Sequence, residues 1–422
     1  PHDVRPAAEL AARVAGRYPD LRGLVADGLP YHEAGGSDAQ ELGAAIATGV
    51  AYLRALTGAG MSVGDAAACV EFRLAATVDQ FATTAKFRAA RRLWARVTEV
   101  SGAPDVPMRQ HAVTSPAMLT RRDPAVNMLR TTVACFAAGT GGADAVTVLP
   151  YDTALGLPDR FSRRLARNTQ AILLQESKLA AVIDPAGGSY YVENLTDALA
   201  HAAWREFTAI EGAGGIEAEL DSGALADRLA ATSDARLRRL ATRTQAITGV
   251  SEFPLPDESL PERTPAPGPV ETGGLPRVRY AREYEELRDR ADTHLVRHGR
   301  RPRAFLATLG TLAEHTARAT FAANLFQAGG MEPVDPGETA DLDALVAAFR
   351  DSGTTVACLC GTDTAYAEQA DRVAAALHDA GAATVLLAGK PGEHAHVDGY
   401  VHTGCDALAV LSGTLDTLGV AR

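Results

Sequence analysis

The run Cys69-Val70-Glu71-Phe72-Arg73-Leu74 reads as a short strand. The periodic segment that follows, residues 81–97, places Ala85, Ala89, Leu93 and Val97 on one helical face. Residues 106–113 repeat the strand pattern, and 124–138 repeat the helical one with a proline at its start. Strand, helix, strand, helix in this order implies a parallel sheet, either open or closed into a barrel. Upstream, residues 21–26 are strand-like, and residues 39–56 carry Leu42, Ile46, Val50 and Leu53 at helical spacing. Downstream, from Asp159 onward, the pattern is mostly helical, over 160–177, 196–212 and 224–247.

The clearest boundary is residues 251–280, with Pro254, Pro256, Pro261, Pro265, Pro267, Pro269 and Pro276. Proline at that density supplies neither helix nor ladder donors, so an extended linker or surface strap is expected. Phe253, Leu255, Leu260 and Val270 are its candidate anchors. The charged residues 277–303 read as a solvated helix. Strands are then expected at 303–309, 356–359, 384–388 and 398–402, and helices at 315–327, 342–350, 365–379 and 407–418. That alternation suggests a doubly wound, flavodoxin-like domain, in which ligands bind where strand C-termini meet helix N-termini. The loop 310–315 is therefore the expected ligand position.

The 422 residues suffice for two or three domains. With 41 Lys and Arg against 52 Asp and Glu, the net charge of −11 disfavours a nucleic-acid partner. No apolar run reaches the roughly 18 residues that span a membrane, so no membrane association is expected. The first residues, from Pro1 on, lack the apolar core of a signal peptide. Five cysteines without framework spacing point to a reducing, cytoplasmic compartment. Cys358 and Cys360 are expected on opposite faces of a strand, which makes poor metal geometry.

Several strings carry a resemblance. They are Tyr31-His32-Glu33-Ala34-Gly35, residues 85–94 (AKFRAARRLW), residues 109–115 (RQHAVTS), residues 161–170 (FSRRLARNTQ) and residues 184–193 (DPAGGSYYVE). In this order they resemble the adenosylcobalamin-dependent acyl-CoA mutases, methylmalonyl-CoA mutase above all. The resemblance implies a (β/α)8 barrel around acyl-CoA, joined through the linker to a flavodoxin-like cobalamin domain. It also implies a lower cobalt ligand, a His in an Asp-x-His-x-x-Gly loop after that domain's first strand.

At the matching loop, Leu312 stands for the Asp, Glu314 for the His and Ala317 for the Gly, while His315 falls one position late. One residue at a helix start is about 100° of rotation, so His315 is a weak candidate ligand. In the barrel half, Pro30 stands where the family places a substrate-binding His three residues before Glu-Ala-Gly, and proline offers no side-chain donor or acceptor. Val113 replaces the Gln of the Arg-x-His-x-Gln string, leaving Arg109, His111, Thr114 and Ser115 as substrate-pocket remnants. No catalytic residue, directly bound cofactor or metal is therefore expected of this chain.

These departures make the chain similar to the small subunit of heterodimeric mutases, as do the strings Cys360-Gly361-Thr362-Asp363 and residues 387–392 (LAGKPG). The implied role is support of a catalytic partner, which holds adenosylcobalamin and interconverts methylmalonyl-CoA and succinyl-CoA. The rivals are an active mutase using cobalamin without a protein ligand, and a repurposed member binding acyl-CoA or another small molecule. The expected division is a partial barrel with helical extension (1–250), linker and charged helix (251–300), and a degenerate cobalamin-type domain (301–422). About three barrel units are read, so roughly five strands lack a counterpart. Either the chain is a fragment, as Pro1 in place of Met suggests, or another polypeptide completes the barrel.

Four other features have bland readings. Residues 393–398 (EHAHVD) read as a solvated loop rather than a metal site. Residues 389–392 (GKPG) lack phosphate-loop spacing. Gly139–Gly142 and Gly187-Gly188 read as tight turns. Arg88, Arg91 and Arg92 read as a helix face paired with carboxylates rather than a CoA-phosphate site.

Overall fold

The computed structural model describes residues 4–18, 21–267 and 274–421. These fall into two compact units, one drawn from 1–119, 124–235 and 261–279, the other from 120–123, 236–260 and 280–422.

In the first unit α1 (Arg5–Ala15) precedes β1 (Leu24–Asp27), α2 (Leu29–Glu33), α3 (Asp38–Gly58) and α4 (Val63–Ala68). Then come β2 (Val70–Ala76), α5 (Gln80–Val100), β3 (Arg109–Thr114), α6 (Val126–Thr140), β4 (Ala145–Thr147) and α7 (Arg160–Ala171). The helices α8 (Tyr190–Gly212), α9 (Ile216–Asp221) and α10 (Ala224–Ala241) follow, the division between units falling within α10. The strands are all parallel, in the order β1-β2-β3-β4.

Local chemistry sets these boundaries. Ser37 and Gln40 close a capping box at the start of α3, and Asp79 and Asp159 cap α5 and α7. Alternation along β2 buries Phe72 edge-to-face against Trp94 of α5, with ring centroids 4.7 Å apart. Gly49 of α3 lies against this pair; a Cβ there would fall 2.6 Å from the Phe72 ring, so only glycine lets the helix approach. Long α8 packs across α3 and α5.

The sheet has one strand more than the three read from sequence. Ala145–Thr147 is too short to show a period and pairs with β3. Helix α8 starts six residues before the expected 196, while α10 stops at Ala241. The helix from Arg160 changes at Ile172–Glu176 to a π-helical turn.

The second unit begins with α11 (Arg282–His298), then β5 (Arg303–Thr308), α12 (Leu312–Ala328), β6 (Glu332–Val334) and α13 (Leu342–Ser352). It ends with β7 (Val356–Cys360), α14 (Asp363–Asp379), β8 (Thr384–Ala388), β9 (Gly399–Val401) and α15 (Ala407–Thr417). All strands are parallel in the order β6-β5-β7-β8-β9, so connections run outward in both directions from β5. Apolar residues cover both faces. Leu306, Cys358, Cys360 and Leu386 meet α11, α12 and α15, and Phe305, Ala307, Leu359 and Leu387 meet α13 and α14. Cys358 and Cys360 thus share one face, against expectation, because positions two apart on a strand point the same way. Both thiols are fully buried.

Helix α11 is not solvated all round: Tyr284 and Leu287 enter the core, and Ala291 is buried. The strap is held by charge more than by its expected apolar anchors. Phe253 and Leu255 are exposed, whereas Glu258 accepts from buried Arg122 (3.2 Å), and the Leu255 and Pro256 carbonyls accept from Arg288 and Arg301. Further along, Arg263 reaches buried Asp152 at 2.5 Å. Val270 lies outside the described residues. No helix among the described residues is long and apolar enough to cross a membrane.

Candidate functional site

In parallel sheets the strand C-termini are where loops meet ligands. In the first unit these ends converge on a buried polar hub. Pro30 opens α2 and stays exposed; the next turn carries Tyr31 and His32 inward. His32 Nε2 lies 2.6 Å from the Ser115 hydroxyl, just past the end of β3, and its Nδ1 lies 3.6 Å from Glu41. Glu41 accepts from the Ala75 N–H (2.7 Å) and from Lys86 Nζ (2.8 Å), and Lys86 also reaches Asp38 (2.7 Å).

His32, Glu41, Lys86 and Ser115 are all buried. Burial pushes the Glu41 carboxyl up to about 7 even with Lys86 alongside. Burial pulls Lys86 the other way, but the Asp38 and Glu41 carboxylates outweigh it and hold the ammonium charged. The hub is therefore internally satisfied and presents no surface to a ligand.

The expected pocket remnants do not converge. Ser115 joins this hub, while Thr114 is buried and accepts from the Leu149 N–H (2.9 Å). On the sheet face away from α3 and α5, His111 sits between Glu71 (3.3 Å) and the Thr147 hydroxyl (2.8 Å), and Arg109 pairs with Asp144 (3.2 Å). Arg73 bonds Asp27 on the same face. Val113 packs with Leu29, Ala75 and Leu149 as core. Sequence reading missed Glu41, Lys86 and Asp38. The signal was a charge at an apolar helix position: Lys86 precedes Ala90 and Leu93 by four and seven residues, both buried.

In the second unit the expected loop ends β5 and opens on a cleft of about 630 Å³, lined by Thr308, Gly310, Thr311, Glu338, Asp341 and Arg372 among others. Gly310 turns with φ +82°. Thr311 and Glu314 form the capping box of α12: Glu314 accepts from the Thr311 N–H (2.7 Å) and hydroxyl (2.8 Å), and that backbone bond holds its carboxyl below the usual range. Glu338 takes the Leu312 N–H at 2.5 Å. The helix N-terminus, an anion site by its dipole, is thus filled by the chain's own carboxylates. Leu312 is exposed, as is Ala317. His315 is 1% exposed, turned beneath the helix with Nδ1 3.3 Å from the Gly310 carbonyl, and does not line the cleft.

The other clusters resolve as paired surfaces. Arg88 bonds Asp184 (2.5 Å) and Glu193 (2.7 Å), Arg92 bonds Asp197 (2.5 Å), and Arg91 donates to the Gly141 carbonyl (2.6 Å). His394 faces Asp371 at 3.9 Å, and the His396 N–H donates to that carboxylate. His378 turns instead to Asp398 (3.3 Å). Among the described residues no three His, Cys, Asp or Glu side chains are arranged to hold a metal ion.

Fold and site together define an α/β protein with two parallel-sheet units. One has its strand ends closed by buried charge, and the other opens on a cleft rimmed by carboxylates. The family profile described as methylmalonyl-CoA mutase matches residues 2–317, and the chain belongs to this family. It is 63% identical over 415 residues to a methylmalonyl-CoA mutase small subunit of Streptomyces virginiae, covering 98% of this chain and 67% of that protein. It is 41% identical over 433 residues to the methylmalonyl-CoA mutase small subunit of Propionibacterium freudenreichii subsp. shermanii, covering 100% and 67%. Likeness to the Escherichia coli methylmalonyl-CoA mutase, at 35%, extends over 60% of this chain and 36% of that protein. The chain spans about two thirds of the length of the small subunits it matches.

Proposed function

We propose that this chain is the non-catalytic small subunit of a heterodimeric mutase and supports a catalytic subunit that interconverts methylmalonyl-CoA and succinyl-CoA. Mutases of this family use adenosylcobalamin, and the observation that carries the reading is the Gly310–His315 loop. A lower cobalt ligand must project an unengaged donor. Here the Glu314 carboxylate is committed to the Thr311 N–H, and His315, although its Nε2 has no hydrogen-bond partner among the described residues, is buried and does not reach the cleft. These residues do not fit the cofactor, so adenosylcobalamin is assigned to the partner. Pro30 and Val113 support the same reading: one is a helix-initiating proline, the other core packing.

The architecture we propose is the C-terminal part of a (β/α)8 barrel (1–250), a Pro-rich linker with a charged helix (251–300), and a flavodoxin-like, degenerate cobalamin-type domain (301–422). The sequential order of the first sheet supports the barrel, as does the outward winding of the second for the flavodoxin-like domain. The two compact units support the outline, though residues 236–260 and 280–300 pack with the terminal sheet. Five free cysteines favour a cytoplasmic location.

Co-expression with a catalytic mutase subunit tests the role. The chain should co-elute with it in equal amounts, and turnover of methylmalonyl-CoA should require the partner and be absent from this chain alone. Turnover by the isolated chain would refute the proposal.

A further inference from the structure

The last two turns of α11 carry His294 and His298, four residues apart and therefore on one face of the helix. Their rings lie with centroids 4.3 Å apart and planes tilted by 36°. Neither imidazole takes part in the mutase-like sites described above. The geometry points to a bis-imidazole chelate for a late first-row divalent cation, with His294 and His298 each giving one ring nitrogen and water completing the coordination shell.

Three features of the position support it. Histidines four apart on a helix can bring one nitrogen each to the roughly 2.0–2.1 Å that such ions require, as in zinc sites built on a helix. Metal binding needs two imidazole nitrogens within reach of one ion, and the rings already lie together on one face of the helix. The pair also closes the C-terminal end of the helix, His298 being its last residue ahead of the left-handed cap at Gly299, where the dipole favours a cation.

The same surroundings set the selectivity. Arg297 follows His294 by three residues, and Arg300 lies close by, so the site repels cations that bind by charge alone. Ca²⁺ and Mg²⁺, which need carboxylate or carbonyl oxygen, find none offered by the two rings. An ion with strong preference for imidazole overcomes that repulsion, and the expected order is Cu²⁺ ahead of Ni²⁺ and Zn²⁺. Bound metal would tie the last two turns together and resist fraying ahead of β5.

The test uses the full chain without a polyhistidine tag, titrated with Cu²⁺ and followed by calorimetry and electron paramagnetic resonance. One equivalent should bind with a signal from two equatorial nitrogens, and His294→Ala and His298→Ala should each weaken it at least about tenfold. A His294→Asn/His298→Asn variant with native circular dichroism should lose the two-nitrogen signal. Wild-type affinity and spectrum in that variant would overturn the assignment, and would direct attention to His394 and His396. Mg²⁺ added in excess should not displace the Cu²⁺ signal.

Discussion

In the first unit the strand C-termini run into Lys86, Glu41, His32 and Ser115, a buried polar chain in which Lys86 bonds Glu41, His32 bonds Ser115, and Glu41 lies 3.6 Å from His32. In the second they run into an open cleft whose helix N-terminus is covered by Glu314 and Glu338. Both positions are where such sheets receive ligands, and they have been finished in opposite ways. One is closed by interior electrostatics, which is costly to disturb because an unpaired charge cannot be hydrated. The other stays accessible and is rimmed by carboxylate. Under the proposed role, the difference separates two ways of losing a site: filling it with structure, or keeping its shape and changing its chemistry.

The contrast predicts very unequal responses to substitution. The largest is at Lys86. Lys86→Met leaves Glu41 buried without its counter-charge and should cost about 3–5 kcal/mol in urea unfolding. The sign of its pH dependence follows from Glu41, whose folded pKa is already raised and rises further without Lys86. A raised carboxyl contributes stability below its unfolded value, and that stability is lost as pH increases through the folded value. The variant should therefore weaken as pH rises from about 4.5 through 7, and adding Glu41→Gln should remove that slope. A flat profile in Lys86→Met would break the account of the hub.

Ser115→Ala should have an intermediate effect, about 1–3 kcal/mol, because buried His32 loses its 2.6 Å partner. Glu314→Ala should have the smallest. Its carboxylate is solvated, and Glu338 still takes the Leu312 N–H, so thermal unfolding should shift less than in either hub variant. Equal losses at Ser115 and Glu314 would mean that the two strand ends are not as different as drawn.

Much of this was legible in sequence, for identifiable reasons. Capping residues such as Asp79, Thr362 and Asp406 sit next to apolar runs of clear period, so α5, α14 and α15 fall within a few residues of expectation. The strands Ala145–Thr147 and Glu332–Val334 were not readable, since three residues carry no period and the second contains a proline. Tyr190-Tyr191-Val192 resembles a strand locally but begins α8, because packing across α3 and α5 overrides propensity. The altered loop could be read residue by residue, down to Glu314 and His315. The hub was legible only in part: Lys86 marks a charge at an apolar helix position, but its partner Glu41 is identified only when tertiary structure brings the two 2.8 Å apart.

The central claim is that this chain keeps the packing of its family and has lost the chemistry that holds cobalamin. The direct measurement is equilibrium binding of cobalamin to the purified chain, read by gel filtration, visible absorption and the electron paramagnetic resonance of the Co(II) form. The account predicts that the corrin elutes free and shows no axial nitrogen coupling from a protein imidazole. Stoichiometric retention with a nitrogen coupling that disappears in His315→Ala would contradict it.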